Sequence, residues 1–482
     1  MRKALLILLS VVCVTFSSAQ TTVECNFSEV INKDFIGNGA QWNPYQLQYA
    51  DKHLDISEAD WQKMYHRLDF MRPQIMRVLH NTAKLVVDGK LRPEGNLDQI
   101  DHILSYCQSR GVNVIFGDWG WGLADAKVPE FDKKKVEMAA DYLAFLVNKK
   151  GYTCIKYYNM INEPNGDWST TAGNYDLWRD ITLCFYKRMQ KNKLLDKVRL
   201  VGPDIAIWTT EDLPWIEKAA ANVDFGLYDI HTYPSKVTIN SNEYAEIIRA
   251  YKNAVPDGKK IVMGEIGLKF VEPVDSLYQQ EMLRRAAAKP FVCFDDSQMF
   301  VYDYMYGIDM ADAIMQVANA GLSGAVAWMV DDAMHSADGR DDKLKIWGFW
   351  NILGEEYFGA EDEAVRPWFY AWSLMTKYMP TGCDVYDSKI SGSSSVKAVA
   401  VKHEGRTMMA VVNVSKKPQT VMVKANTKLA DCKEFIYAEG RLKKHDEANL
   451  LPNSTFRELD FNKGIELAMP GESLFVFTDF DY

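Results

Sequence analysis

Glu163 and Glu265 are the two residues on which the chemistry of this sequence can turn. Glu163 stands in Tyr157-Tyr158-Asn159-Met160-Ile161-Asn162-Glu163-Pro164, an apolar and aromatic run that ends in an amide, a carboxylate and a proline. The run is short enough for a buried strand. Proline ends the hydrogen-bonding ladder and turns the residue before it away from helical angles. Glu163 is therefore expected to be held extended where the strand gives out, at the mouth of a sheet or barrel. Glu265 lies in Lys260-Ile261-Val262-Met263-Gly264-Glu265-Ile266-Gly267, a second apolar run with a carboxylate near its end. Two carboxylates facing each other across one mouth are the pair that glycosidic-bond cleavage needs, flanking the sugar from both sides.

The elements around them decide whether the two can meet. Short apolar and β-branched runs over residues 35–42, 75–80, 112–119, 157–163, 198–204, 225–234, 260–267 and 324–330 read as strands. Helical patterns separate them. The capping signal Ser57-Glu58-Ala59-Asp60 opens one, with Trp61, Tyr65, Leu68 and Met71 at helical spacing. Leu97, Ile100, Leu104 and Cys107 mark the next, closed by Gly111. Strands alternating with helices imply parallel pairing, and eight repeats with polar residues at most strand ends fit a (β/α)₈ TIM barrel. Past Pro380-Thr381-Gly382 the helical period stops and short strands with turn signals take over. The expected fold is thus α/β, a TIM barrel over residues 20–379 with a C-terminal antiparallel β-sandwich over 380–482, to which residues 20–34 can add a strand.

Composition narrows the class. The chain has 482 residues, 48% hydrophobic and 25% charged, with a formal net charge of −10. That is an ordinary globular balance, and its acidity argues against nucleic acid or an anionic membrane as partner. Residues 1–19 read as a secretory signal peptide: Arg2 and Lys3, an apolar core from Ala4 to Phe16, then Ser17-Ser18-Ala19 before Gln20. The expected location is secreted or periplasmic, as a monomer, with no membrane span. Cys13 follows Val12 rather than a small residue, which argues against a lipid anchor. The other seven cysteines show no CxxC or zinc spacing; a Cys25–Cys383 or Cys25–Cys432 bridge stays open. No cofactor is called for, and no ligand-spaced cluster points to a metal.

In a barrel of this kind catalytic groups come from the C-terminal ends of different strands. The strand ends here supply Arg77, Asp118, Asn162, Glu163, His231, Tyr233, Glu265 and Trp328. Asn162-Glu163-Pro164 on a fourth strand with Glu265 on a seventh resembles glycoside hydrolase clan A, the retaining barrel enzymes. Arg77, His231, Tyr233 and Trp328 are similar to the set shared within family five, and the C-terminal sandwich resembles families thirty and thirty-nine. Where family five has a histidine near the end of its third strand, this sequence has Gly117-Asp118-Trp119-Gly120-Trp121.

The resemblance implies a carbohydrate substrate and a role for each residue. Glu163 becomes the general acid/base and Glu265 the nucleophile, Asn162 binds the 2-hydroxyl, Tyr233 and Arg77 hold Glu265 charged, His231 stands beside the acid and Trp328 is the sugar's floor. Asp118, Trp119 and Trp121 are expected to bind substrate, Asp118 through a sugar hydroxyl or Arg77. From their place in or beside strand-end loops, Trp42, Trp119, Trp121, Trp347 and Trp350 are expected to form sugar platforms, aided by Asp118, Asp331 and Asp332. Each residue also has a plain structural reading: a strand-end ion pair for Arg77, barrel filling for Trp328, lip residues for His231 and Tyr233, packing for the loop tryptophans. The functional expectation is a secreted retaining glycoside hydrolase acting on β-linked saccharides, with a non-catalytic carbohydrate-binding barrel as the alternative.

Overall fold

The computed structural model describes residues 20–482 except 47, 51, 338 and 339, so the expected signal peptide and Cys13 lie outside the described residues. Eight parallel strands close into a barrel in chain order: Gly39–Gln41, Ile75–His80, Asn113–Asp118, Ile155–Asn159, Arg199–Ala206, Leu227–Thr232, Ile261–Ile266 and Ala325–Ala327. They are called the first to eighth barrel strands below. Alternation of side chains along each strand sets the interior. Ile75, Ile115, Val201, Leu227, Val262 and Val326 form one buried apolar cluster on the inside of the barrel. Two residues beyond Ile75 on the same face comes Arg77, and two beyond Leu227 comes Asp229, so a charged layer lies directly above an apolar plug.

Outside, the helices follow the periodicity of the sequence. Ser57 caps the helix Glu58–Met71 with the reciprocal box its motif called for: Asp60 N–H donates to Ser57 Oγ at 3.2 Å and Ser57 N–H to Asp60 Oδ2 at 2.9 Å. The helix Leu97–Ser109 ends before Gly111, which takes a positive φ of 70°. No helix among the described residues is long and apolar enough to cross a membrane.

Beyond the barrel, nine strands form a largely antiparallel sheet system. In spatial order they are Ser454–Asp460, Lys428–Tyr437, Ser473–Thr478, Arg406–Asn413, Val396–His403, Asp384–Ser391, Thr21–Asn32, Gln419–Ala425 and Ile465–Met469. The strand Thr21–Asn32 runs antiparallel to Asp384–Ser391 and parallel to Gln419–Ala425, joining the start of the described chain to its end. Val23, Val411, Val421 and Phe477 pack between the sheet faces. Val399, Val401 and Tyr437 instead share the barrel's main core with the helix Tyr304–Asn319. Cys25 and Cys432 are thiols of the inter-sheet core and Cys383 is a thiol of the main core, with no bridge between them.

One local expectation is corrected. The fourth strand ends at Asn159, and Glu163 is not extended but left-handed, with φ 46°. Proline argued only against the right-handed helical region. The choice between the remaining regions was made by hydrogen bonds: Glu163 N–H donates to Asp204 O at 3.1 Å, and Gly166 N–H to Glu163 O at 3.0 Å. A non-glycine residue at positive φ is strained and persists only where its surroundings hold it.

Candidate active site

The barrel mouth brings Glu163 and Glu265 together, and one oxygen of each lies within 4.8 Å of the other and of a ring nitrogen of His231. Each carboxylate has its own donors. Glu265 accepts from Arg77 Nη1 at 2.8 Å and from Tyr233 Oη at 2.5 Å. Glu163 accepts from Trp168 Nε1 at 2.7 Å, and its Oε1 is 3.1 Å from His231 Nδ1. His231 and Glu265 are register partners on the sixth and seventh strands, which explains their proximity.

Beneath the pair lies a fully buried network centred on Arg77 and Asp204. Arg77 also donates to Gln41 Oε1 at 2.5 Å, Asn162 Oδ1 at 2.7 Å and Asp204 Oδ2 at 2.9 Å. Asp204 further accepts from Asn159 Nδ2 at 2.7 Å and meets His231 Nε2 at 3.1 Å. Asp229 accepts from Gly264 N–H at 2.7 Å. A Cβ on Gly264 would stand 2.1 Å from that carboxylate, so the close approach requires glycine.

Burial and charge set the protonation states. Burial alone would raise Asp204, but the Arg77 and His231 cations hold it well below the ordinary carboxylate range. Burial, then the charge of Asp204, pushes Asp229 far above that range, so Asp229 is the neutral member. Burial opposes a charge on His231, yet Asp204 and the contact with Glu163 raise it well above the ordinary histidine value. A protonated His231 has N–H groups for both neighbours, which matches its two contacts. Burial lifts Glu265, the His231 cation opposes this, Glu163 adds to the lift, and Arg77 and Tyr233 pull it down again; the balance is raised.

Two groups could be considered for a metal, Glu163, His231 and Glu265, and Asp204, Asp229 and His231. Both are threaded by the cationic Arg77, whose charge already neutralises the carboxylates a divalent ion would need. The residues present fit a proton-handling site better than a metal centre.

Around the carboxylates opens a cleft of about 330 Å³, lined among others by Trp119, Trp121, Trp168, Trp208, Trp328 and Trp347. Trp119 and Trp121 stack with centroids 5.1 Å apart and planes 8° from parallel. The intervening Gly120 takes φ 85°, the bend that brings both rings to the wall. Trp328, just past the eighth strand, meets Trp119 edge-on at 6.3 Å and stacks on His335 at 5.5 Å. Trp168 and Trp208, 53% and 49% exposed, stand edge to face at 6.0 Å on the Glu163 side.

Three expectations need correcting. Asp118 neither faces the cleft nor touches Arg77: it is fully buried and accepts Thr82 N–H at 2.8 Å and Gly120 N–H at 2.7 Å. Its carboxylate ties the loops after the second and third strands together, and burial pushes it up to about 6. Trp42 and Trp350 are fully buried, Trp42 against Trp61 and Tyr106, Trp350 donating to Asp331 Oδ2 at 3.0 Å. Asp331 and Asp332 serve backbone N–H groups, at Ala333 and Ile352 and at Trp347 and Gly348. A loop is built on these carboxylates, and both residues are fully buried, so neither is presented to a sugar. Trp347 does line the cleft, packed at 5.3 Å on Tyr233.

Sequence reasoning missed Gln41, Asp204, Asp229, Trp168, Trp208 and His335. Asp204 ends the apolar run 198–204 and Trp168 follows Glu163 by five positions, so a signal existed for both. Gln41 closes the first strand, but a neutral amide there carries no sign of its partner, and nothing local distinguishes His335 from other loop residues.

No protein-family model matches the sequence, and no curated protein matches it. Solved structures do resemble it closely in fold. A GH30 endoxylanase from Clostridium papyrosolvens C71 matches with TM-score 0.61 at 13% identity, covering 95% of this chain and 99% of that chain. A GH39 β-xylosidase from Caulobacter crescentus matches with TM-score 0.58 at 12% identity over 95% and 99%. An α-L-arabinofuranosidase from Thermotoga maritima matches with TM-score 0.63 at 13% identity over 95% and 99%. The fold is that of the clan A glycoside hydrolases, a TIM barrel with a β-sandwich alongside.

Proposed function

We propose that this protein is a glycoside hydrolase that cleaves β-linked oligo- or polysaccharides with retention of configuration, through a glycosyl-enzyme intermediate. One observation carries the reading: Glu163 and Glu265 offer oxygens within 4.8 Å of each other. That spacing suits the roughly 5–5.5 Å between carboxyl groups of retaining pairs and is short of the roughly 6.5–9.5 Å of inverting ones. The fold shared with xylan- and arabinoside-cleaving enzymes supports the same class.

The two cations Arg77 and His231 face Asp204 and the glutamate pair, so a single negative charge on the pair is compensated and a second is not. Glu265, gripped by Arg77 and Tyr233, carries that charge and attacks the anomeric carbon. The C–O bond to the leaving group breaks as Glu163 gives its proton to the departing oxygen. Glu163 then removes a proton from water, the water oxygen bonds to the anomeric carbon, and the ester to Glu265 breaks. Asn162, oriented by Arg77 at 2.7 Å, has its amide nitrogen left to hold the sugar beside the reacting carbon. Export directed by residues 1–19 belongs to the same proposal and would appear as a mature chain beginning near Gln20.

Proton NMR of the first sugar released decides the mechanism. A β product from a β-linked substrate is expected, and an α product would overturn retention.

A further inference from the structure

The catalytic cleft does not end at Trp119 and Trp121. A second hollow of about 240 Å³ shares Gln46, Trp119, Trp121 and His335 with it and extends to Lys84 and Asn96. It lies over the loops after the eighth, first, second and third strands. Trp168 and Trp208, with Glu163, lie over the fourth and fifth. The two aromatic regions are therefore on different arcs of the barrel mouth, Glu163 with the second of them and Glu265 on the seventh strand.

The chemistry gives these arcs a direction. An acid must reach the leaving oxygen, so the leaving sugar lies on the Glu163 side, against Trp168 and Trp208. The sugar whose anomeric carbon is attacked lies over Trp328, and the chain preceding it runs toward His335 and the second hollow.

That hollow is built to bind rather than to react. No carboxylate is among its lining residues. Asn96 uses its side-chain oxygen to accept from Tyr142 Oη at 3.0 Å, leaving its amide hydrogens without a partner among the described residues. Lys84 Nζ likewise has none. Trp121 is 39% exposed and offers a ring face for stacking.

His335, the partition between the two spaces, is held as a donor. Leu79 N–H donates to Asn43 Oδ1 at 2.7 Å, so the Asn43 amide nitrogen is the atom 2.9 Å from His335 Nε2. Nε2 must then accept, and the ring proton sits on Nδ1, which has no partner among the described residues. Burial pushes this histidine down to about 3, which keeps it neutral.

We propose that the hollow past His335 binds a second sugar on the non-leaving side, so that the enzyme grips at least two consecutive units there and cuts within chains or releases disaccharides. This rests on the glycosidase reading above. Binding energy from a remote sugar is realised in the transition state, so a longer substrate gains in kcat/KM.

The test compares 4-nitrophenyl β-xyloside with β-xylobioside, and the β-glucoside with the β-cellobioside, β-laminaribioside and β-gentiobioside. For the sugar the enzyme accepts, the diglycoside is expected to exceed the monoglycoside in kcat/KM by about 100-fold, as one well-bound ring contributes. Lys84→Ala with Asn96→Ala should lower that ratio about tenfold. Equal kcat/KM for both lengths, or single sugars released from chain ends, would overturn the proposal while leaving the glycosidase reading intact. Failure to cleave any of these would overturn both.

Discussion

Asp204 holds Glu163 from two directions at once. Its backbone carbonyl accepts the Glu163 N–H at 3.1 Å, and its carboxylate meets His231, whose other nitrogen is 3.1 Å from Glu163 Oε1. One residue near the end of the fifth strand thus fixes both the left-handed backbone of Glu163 and the ring beside its carboxylate.

Replacing Asp204 should therefore disable and destabilise together. Asp204→Ala removes the buried carboxylate that Arg77 and His231 share and leaves them only the two glutamates, a loss of about 3–5 kcal/mol. Chemical denaturation should show it, and kcat should fall in whatever remains folded. A variant as stable as the parent would remove Asp204 from the network.

The two glutamates should fail differently. Glu265→Ala should be nearly inactive on every substrate, and azide should rescue it to a product of inverted configuration. Glu163→Ala should retain glycosylation of dinitrophenyl glycosides, whose leaving groups need no proton. Exchanged phenotypes in steady-state kinetics would exchange the roles.

Asp118 should act on folding before it acts on binding. Asp118→Ala leaves the buried N–H groups of Thr82 and Gly120 without acceptors, at a cost of about 1–3 kcal/mol each. The melting temperature should drop clearly, with KM rising as Trp119 and Trp121 lose their anchored loop. An unchanged melting temperature with lower kcat would instead argue for direct contact with substrate.

Acid should destabilise the fold through two buried histidines. Burial holds His80 and His335 down at about 3, from an ordinary 6.5. Both folded values lie below the unfolded one, so between pH 6.5 and 3 the unfolded chain binds more protons. Stability is then complete above that window and falls as the pH is lowered through it, by about 1.4 kcal/mol per unit for each histidine. Asp118, pushed up to about 6 by burial, acts with the opposite sign over the same range, so the histidine contribution is read as a difference. Denaturation curves at pH 7, 6 and 5 should show the parent losing stability relative to His80→Gln. A parent-to-variant difference that does not change with pH would contradict it.

Much of this architecture follows from the sequence alone because its causes are local. The strand Ile75–His80 and the strand Ser473–Thr478 form over the residues their apolar runs delimit. Apolar spacing likewise places Arg77, His231 and Glu265 at the strand ends of one barrel mouth. Strands that half-face solvent were harder to see: Asp384–Ser391, Ser454–Asp460 and Ile465–Met469 carry enough polar residues to read as loops until a neighbouring strand supplies the pairing.

What only the tertiary structure decided is what each polar or aromatic side chain faces. Trp42 and Trp168 both stand in loops beyond barrel strands, yet one is wholly buried and the other half exposed beside Glu163. Nothing adjacent in sequence separates them; the helix packing outside the first strand covers one and leaves the other open. Asp118 and Asp204 are also alike in sequence, each closing a strand. Asp118 spends its oxygens on backbone N–H groups, whereas Asp204 spends its own on Arg77, Asn159 and His231. Those partners come from three other strands, and a charge network of this kind exists only once the barrel has closed and excluded the water that would otherwise screen it.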